Sequence, residues 1–394
     1  ADNNVAIGYR TLNSNTSGSQ NVAVGVDALL NNTTGTDNTA LGYQALNNNL
    51  IGSRNVGVGL FALRFSASDN NIGIGYAAGY QTTSGSIVAV GHSALYTNAT
   101  GVQLTAVGHQ ALRDNTGSYN TAIGHFALVR NTTGGSNVSV GSGSLQNNTT
   151  GGGNSAFGES ALDKNITGLN NVGFGSYASG RNTAGSNNTA IGTTALLFNT
   201  ASNNTAVGYQ AAYSNTSGTG IIAIGHTALT LNTTGINNTA IGTLTLGKNT
   251  VGVQNLGIGV NTLYSNVAGN ANVGIGNFAL YGCTSNDNVA IGYFSANSLT
   301  TGNKNVAVGI GSLQNNTTGI GNAAVGASAL FTATSGDHNS ALGRDTNNAN
   351  FSGCVILGYG ATATASNQFV VGTAVTNAGA VDTAPVTAMQ RWKV

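Results

Sequence analysis

A tetrapeptide ending in glycine, first written Val5-Ala6-Ile7-Gly8 and last Phe369-Val370-Val371-Gly372, recurs twenty-three times along the chain. Of the twenty-two steps between copies, fifteen are 17 residues, five are 16, and the last two are 15 and 14. A period this short cannot hold two helices, so helical-hairpin repeats are excluded and one coil of a β-solenoid fits. A chain of 394 residues would ordinarily be divided into two or three domains. A repeat that runs nearly end to end predicts instead one all-β domain over residues 1–372, a parallel β-solenoid (β-roll) of about 23 coils. With roughly 4.8 Å per coil, twenty-two steps give an expected axial length of about 105 Å. Residues 373–394 fall off the pattern and hold the single Pro, Met and Trp, which predicts a C-terminal connector or cap.

Each coil is numbered here from the first residue of its tetrapeptide. Position 2 is Ala, Gly or Ser in the first twenty-one copies, whereas position 3 is always Val, Ile, Leu or Phe. Alternation along a strand sends these two to opposite faces. The small face admits two explanations, a narrow coil interior or the close approach of a second chain. Glycine fills position 4 in every copy, among them Gly8, Gly25 and Gly42, and reads as an obligatory corner where the backbone needs positive φ or passes close to another backbone. Position 8 is leucine in sixteen copies, including Leu12, Leu29 and Leu46, and predicts a second apolar ladder. A polar turn follows, as in Asn15-Thr16-Ser17-Gly18. An asparagine then precedes the next tetrapeptide in eighteen copies, Asn21, Asn38 and Asn55 among them. Stacked asparagines of this kind can hydrogen-bond along the axis. Ile87, Leu104, Ile221 and Cys354 replace it elsewhere, so the position is expected to be at least half buried.

Helix is disfavoured throughout, because glycine recurs in every coil, β-branched residues fill the strands and no apolar spacing holds a 3.6 period. Only 6% of residues are charged and there is one glutamate, so this is not a charge-coated globule. Disorder is equally excluded, since 40% hydrophobic residues at a fixed period can bury surface. The net charge of +1 supplies no basic footprint for nucleic acid, and no apolar run is long enough for membrane insertion. Cys283 and Cys354 lie between four and five repeats apart. Coil spacing puts them on the order of 20 Å from each other, beyond disulfide reach, so two free or buried thiols are expected.

The 14-residue step over 358–372 and the core N-[VT]-A-[VI]-G resemble the head repeats of trimeric autotransporter adhesins. The longer form at 38–46 and 204–212, with its NTTG-type turn, is similar to repeats of phage tail-fibre proteins that precede an endosialidase-type chaperone domain. The resemblance covers residues 3–372. It implies a left-handed, homotrimeric β-roll, with three chains intertwined or side by side, carried outside a cell or on a virion. The 17-residue coils are longer than those of adhesin heads, and no membrane anchor or chaperone domain is recognised within these residues.

Position 5 carries Tyr9, Tyr43, Tyr76, Tyr209, Tyr293 and Tyr359, and on three successive coils His92, His109 and His125. Imidazoles stacked about 5 Å apart are weak candidates for a transition-metal site. Substitution of tyrosine in an aromatic ladder is the favoured reading, and His226 in the same column supports it. The tyrosines either pack between chains or form a stacking platform for sugar rings, and packing is expected. Catalysis is not expected: acids are rare, Glu159 and Asp163 form the only close Glu/Asp pair, and no nucleophile elbow stands in a strand-to-helix context.

The expectation is therefore a non-catalytic fibre shaft of tail-fibre or surface-adhesin type, extracellular, on a cell surface or virion, giving extended multivalent display or attachment. No cofactor is expected. The expected partners are the chain itself, as a homotrimer with end-to-end assembly as a variant, and a cell-surface glycan or receptor. One alternative is a subunit of a self-polymerising extracellular filament, for which Met389 and Trp392 are candidate end contacts. The other is an ice-binding β-solenoid, against which the irregular first strand position counts.

Overall fold

The computed structural model describes residues 3–98 and 100–372. Among them every regular element is a β-strand, as expected, and the architecture is a parallel β-solenoid of about 23 coils. The chain divides into two compact units, Ala1–Asn203 and Asn204–Val394. The first stacks the tetrapeptide strands from Val5–Ile7 to Thr189–Ile191, and the second those from Thr205–Val207 to Phe369–Val371. Within each unit a strand pairs in parallel with the next copy, like position on like: Val5 with Val22 and Ala6 with Ala23 in the first, Ile222 with Thr239 and Ala223 with Ala240 in the second. Met389, Trp392 and the rest of 373–394 lie outside the described residues.

Inside the coil there is room for little at position 2. Ala23, Ala40 and Ala240 are fully buried, and the position-8 leucine of the preceding coil lies over this column. A Cβ added to Gly57 would stand 3.1 Å from Cγ of Leu46, and one added to Gly173 would stand 3.0 Å from Cγ of Leu162. The small face is thus explained by a narrow interior of the chain itself. Where Asn347 and Thr362 replace the leucine, the following position 2 is Ile356 or Val370, and Ile356 is fully buried. Each buried leucine contributes about 1.5–3 kcal/mol, and the column is one rung deep, so every coil needs its neighbours.

The corners explain the glycine. Gly25 has φ +136°, and a Cβ there would lie 2.5 Å from the carbonyl oxygen of Gly42 in the next coil. Both reasons anticipated for glycine therefore hold at once. The leucines bring a feature that residue preference argues against: Leu29, Leu46 and Leu229 have φ of 49°, 50° and 53°. Left-handed backbone costs a residue with a Cβ roughly 1–2 kcal/mol. Positions 6 and 16 adopt it too, as at Asp27 (φ 58°) and Asp37 (φ 59°). The coil offsets this cost through bonds that only the stack provides. Asp27 N–H donates to the Tyr9 carbonyl of the preceding coil at 2.9 Å, and Leu29 N–H donates to the Ala45 carbonyl of the next at 3.1 Å.

Two asparagine columns close the remaining sides. In the column before the tetrapeptide, the Asn38 backbone N–H and side-chain amide both donate to Oδ1 of Asn21, at 3.0 and 3.1 Å. The same side-chain amide donates to the Gly52 carbonyl at 2.9 Å. Asn21, Asn38 and Asn55 are buried, as expected. The turn asparagine at position 11 forms a second ladder that the turn chemistry alone did not foretell. Asn32 Nδ2 donates to Asn15 Oδ1 at 3.0 Å and to the Gly35 carbonyl at 3.1 Å. Buried amides without partners would each cost about 1–3 kcal/mol, so the stacking satisfies a need as much as it adds stability.

Candidate interaction surface

With positions 2, 7, 8, 11, 14 and 17 turned inward, positions 1, 3 and 5 remain on the outside of the strand. They form a sheet face that runs through the coils of each unit. Position 3 is apolar in all twenty-three coils, and position 1 is never charged. Both columns are half-exposed to exposed, as at Val22, Leu41, Ile191 and Ile224. Phe157 and Phe174 stand on successive coils of this face, with ring centroids 5.6 Å apart.

Position 5 behaves differently. Tyr9, Tyr43, Tyr76, Tyr209, Tyr293 and Tyr359 are all exposed, but the column also takes Val26, Ser142, Glu159, Thr193, Asn277 and Arg344. Where aromatic residues occupy successive coils, the rings stack on one another. Tyr76 lies 4.8 Å from His92, His92 5.2 Å from His109, and His109 5.1 Å from His125, all at about 20° between planes. Tyr209 and His226 repeat this at 5.3 Å. Histidine thus takes the place of tyrosine in the ladder. Parallel rings hold their in-plane lone pairs side by side, a poor arrangement for converging on one ion, and among the described residues no group of three His, Cys, Asp or Glu is placed to hold a metal. At Tyr76 and Tyr209 the stacking also covers a π-face that a sugar ring would need.

The two acids that chemistry might have used are separated in role. Asp163 is held by Lys164 at 3.1 Å and by Asn147 Nδ2 at 2.8 Å, while Glu159 stands exposed in the position-5 column. Both cysteines are free and buried, and burial pushes the Cys283 thiol upward from its ordinary pKa. The first threonine of the turn commits its proton internally. Thr16, Thr149 and Thr233 each donate Oγ1 to a carbonyl of the next coil, at 3.0, 3.1 and 3.0 Å. Hydroxyls so oriented are committed to the stack, which weighs against an ice-ordering face built on this threonine column. No sequence rule for a site pointed to the apolar face, yet its signal was present as the unbroken restriction at position 3. Comparison with protein-family models and with characterised proteins finds no match to this chain.

Proposed function

We propose that the chain is a non-catalytic structural shaft, of tail-fibre or surface-adhesin type, working outside the cell or on a virion as a homotrimer. The observation that carries this reading is the division of labour in the coil. Inward columns draw on few residue types and most of their amides are tied into ladders, whereas among the described residues chemical variety is concentrated in outward columns that converge on no reaction centre. Such a body can be lengthened coil by coil without redesign. Identical copies also multiply any weak contact made by the varied columns with a cell-surface glycan or receptor. Sedimentation equilibrium of the purified chain tests the reading. A discrete mass of three chains is expected; a monomer at all concentrations would overturn it, and growth without limit as concentration rises would favour the self-polymerising filament.

A further inference from the structure

We propose that the edge of the coil at positions 9 and 10 binds a linear acidic polysaccharide, a polymer of sugar rings that carry carboxylates. This deepens the attachment half of the reading above and does not depend on how many chains assemble.

The net charge of +1 conceals a segregation by column. Positions 9 and 10 hold six cations, Arg64, Arg113, Arg130, Lys164, Arg181 and Lys248, against two acids, Asp114 and Asp163. All other columns of the described residues together hold four cations against seven acids. Nothing in the coil requires this placement, because the same two positions accept Leu197, Tyr213, Thr230 and Asn297 elsewhere. Five of the six cations fall in the first unit, on rungs that span seven coil steps, or about 34 Å at roughly 4.8 Å per step. Arg130, Lys164 and Arg181 are exposed there.

Most of these cations are not neutralised by the chain itself. Among the described residues Arg113 is held by Asp114 at 2.6 Å and Lys164 by Asp163 at 3.1 Å, whereas Arg64, Arg130 and Arg181 have no carboxylate in ion-pair reach. Aromatic rings stand in the carboxylate's place. Arg64 lies 5.0 Å from the ring centre of Phe65 and 5.9 Å from that of Tyr80, and Arg181 lies 4.6 Å from that of Phe198. A guanidinium seated on a ring is oriented without losing its charge, and its fork of N–H donors matches a carboxylate.

Sparse charge backed by aromatic rings selects the partner. Double-stranded DNA carries one negative charge per roughly 1.7 Å, far denser than a cation every one to three coils. Single strands want open ring faces for their bases, whereas Tyr80 and Tyr96 cover each other at 4.9 Å. An acidic polysaccharide spreads its carboxylates over whole sugar rings, and its hydroxyls suit the amides of Gln146 and Asn147, which stand between Arg130 and Lys164 on the same edge. A second copy of the chain is a poor partner. Its acids are scattered over several columns, and Asp27, Asp69 and Asp345 already face Arg10, Arg54 and Arg344.

The test is affinity electrophoresis of the full chain through gels that contain polygalacturonate, neutral dextran or single-stranded DNA. Polygalacturonate should retard the chain, dextran should not, and added salt should weaken the retardation. Arg130→Gln with Arg181→Gln should weaken binding roughly tenfold. Arg54→Gln with Lys304→Gln removes the same charge from exposed residues at position 16 and should leave affinity within about twofold of the parent. No retardation of the parent, an equal loss in both double variants, or stronger retardation by DNA than by polygalacturonate overturns the assignment. Should the first double variant fail to fold, Asp114→Asn supplies the second measurement. With Arg113 released, binding should tighten about threefold, and an unchanged or weaker affinity counts equally against the edge. Sedimentation separates this from the shaft: a trimer that ignores polygalacturonate sinks the edge alone, and a monomer that binds it sinks the trimer alone.

Discussion

Two stretches of the first unit solve the same packing problem differently. From about residue 138 to 188 both asparagine ladders are nearly unbroken: Asn148 donates to Asn131 at 2.7 Å and Asn165 to Asn148 at 2.9 Å, while Asn154, Asn171 and Asn188 link in the other column. From about 56 to 105 the ladders fail. Ser66 and Thr82 stand at position 11, Ile87 and Leu104 replace the asparagine before the tetrapeptide, and Gly79 replaces the position-8 leucine. Hydrocarbon moves between columns to compensate: a Cβ on Gly79 would find Leu63 Cδ2 at 2.6 Å and Ile87 Cδ1 at 3.5 Å. Strands Ile87–Val90 and Leu104–Val107 gain a residue, and an extra pair, Gln81–Thr82 with Thr97–Asn98, forms beside them.

The outside of this second stretch changes as well. Arg64 lies over Phe61, Phe65 and Tyr80 at 5.1, 5.0 and 5.9 Å, and its Nη1 donates to the Tyr80 hydroxyl at 3.0 Å. Tyr80 and Tyr96 stack at 4.9 Å. Where the coil loses directional bonds within, it gains ring contacts without. A solenoid needs some inter-coil cohesion at every step, but it is indifferent to which columns supply it.

The largest effect expected from this contrast is at Asn171. Asn171→Ala would leave the Asn188 N–H without its acceptor at 3.0 Å and take one of two amide donors from the Gly185 carbonyl, which keeps Asn182 Nδ2 at 2.8 Å. One buried orphan together with the lost amide bonds gives a loss of about 2–4 kcal/mol, read as faster hydrogen exchange in the coils around 155–190, whereas Ile87→Ala should act through lost packing with less effect on exchange. Equal exchange in the two variants would erase the distinction. Next comes Ala156→Leu, which drives a larger side chain against the position-8 leucine Leu145 and should cost about 1–3 kcal/mol or more in thermal unfolding. Ala190→Leu should cost less, because Ser179 stands where that leucine would be.

Arg64→Ala should lower stability by about 1–2 kcal/mol and perturb coils 56–96 alone; an equal effect on coils 138–188 would show that the ring cluster is not a local substitute for the ladders. The smallest effect lies in the acid limb. Arg10 donates to both oxygens of Asp27 at 2.8 Å, and that bond, ahead of the lesser contributions, holds the carboxyl below its ordinary pKa. A depressed carboxyl stabilises the fold above its unfolded pKa of about 3.9 and loses that contribution as pH falls through the folded value. Asp27→Asn should therefore flatten the stability profile below about pH 4, and an unaltered profile would remove Asp27 from the account.

Much of the candidate surface was legible before any coordinates. Its three columns, the lack of charge at positions 1 and 3 and the histidine-for-tyrosine exchange at position 5 all stand in the repeat. Which side of the strand faced outward was not legible, because a period of two separates the faces without saying which is inside. The aligned copies alone determined the coil, its length, the glycine corners and one asparagine ladder, since each follows from the spacing and chemistry of a single repeat. Only the tertiary structure decided that the small residues point inward beneath Leu46 and Leu162, that Leu29 and Asp27 are left-handed, and that the turn asparagines form a second ladder. These depend on what the coils above and below supply. A leucine at φ 49° contradicts its own preference, and it is held there by bonds and packing that no single coil contains.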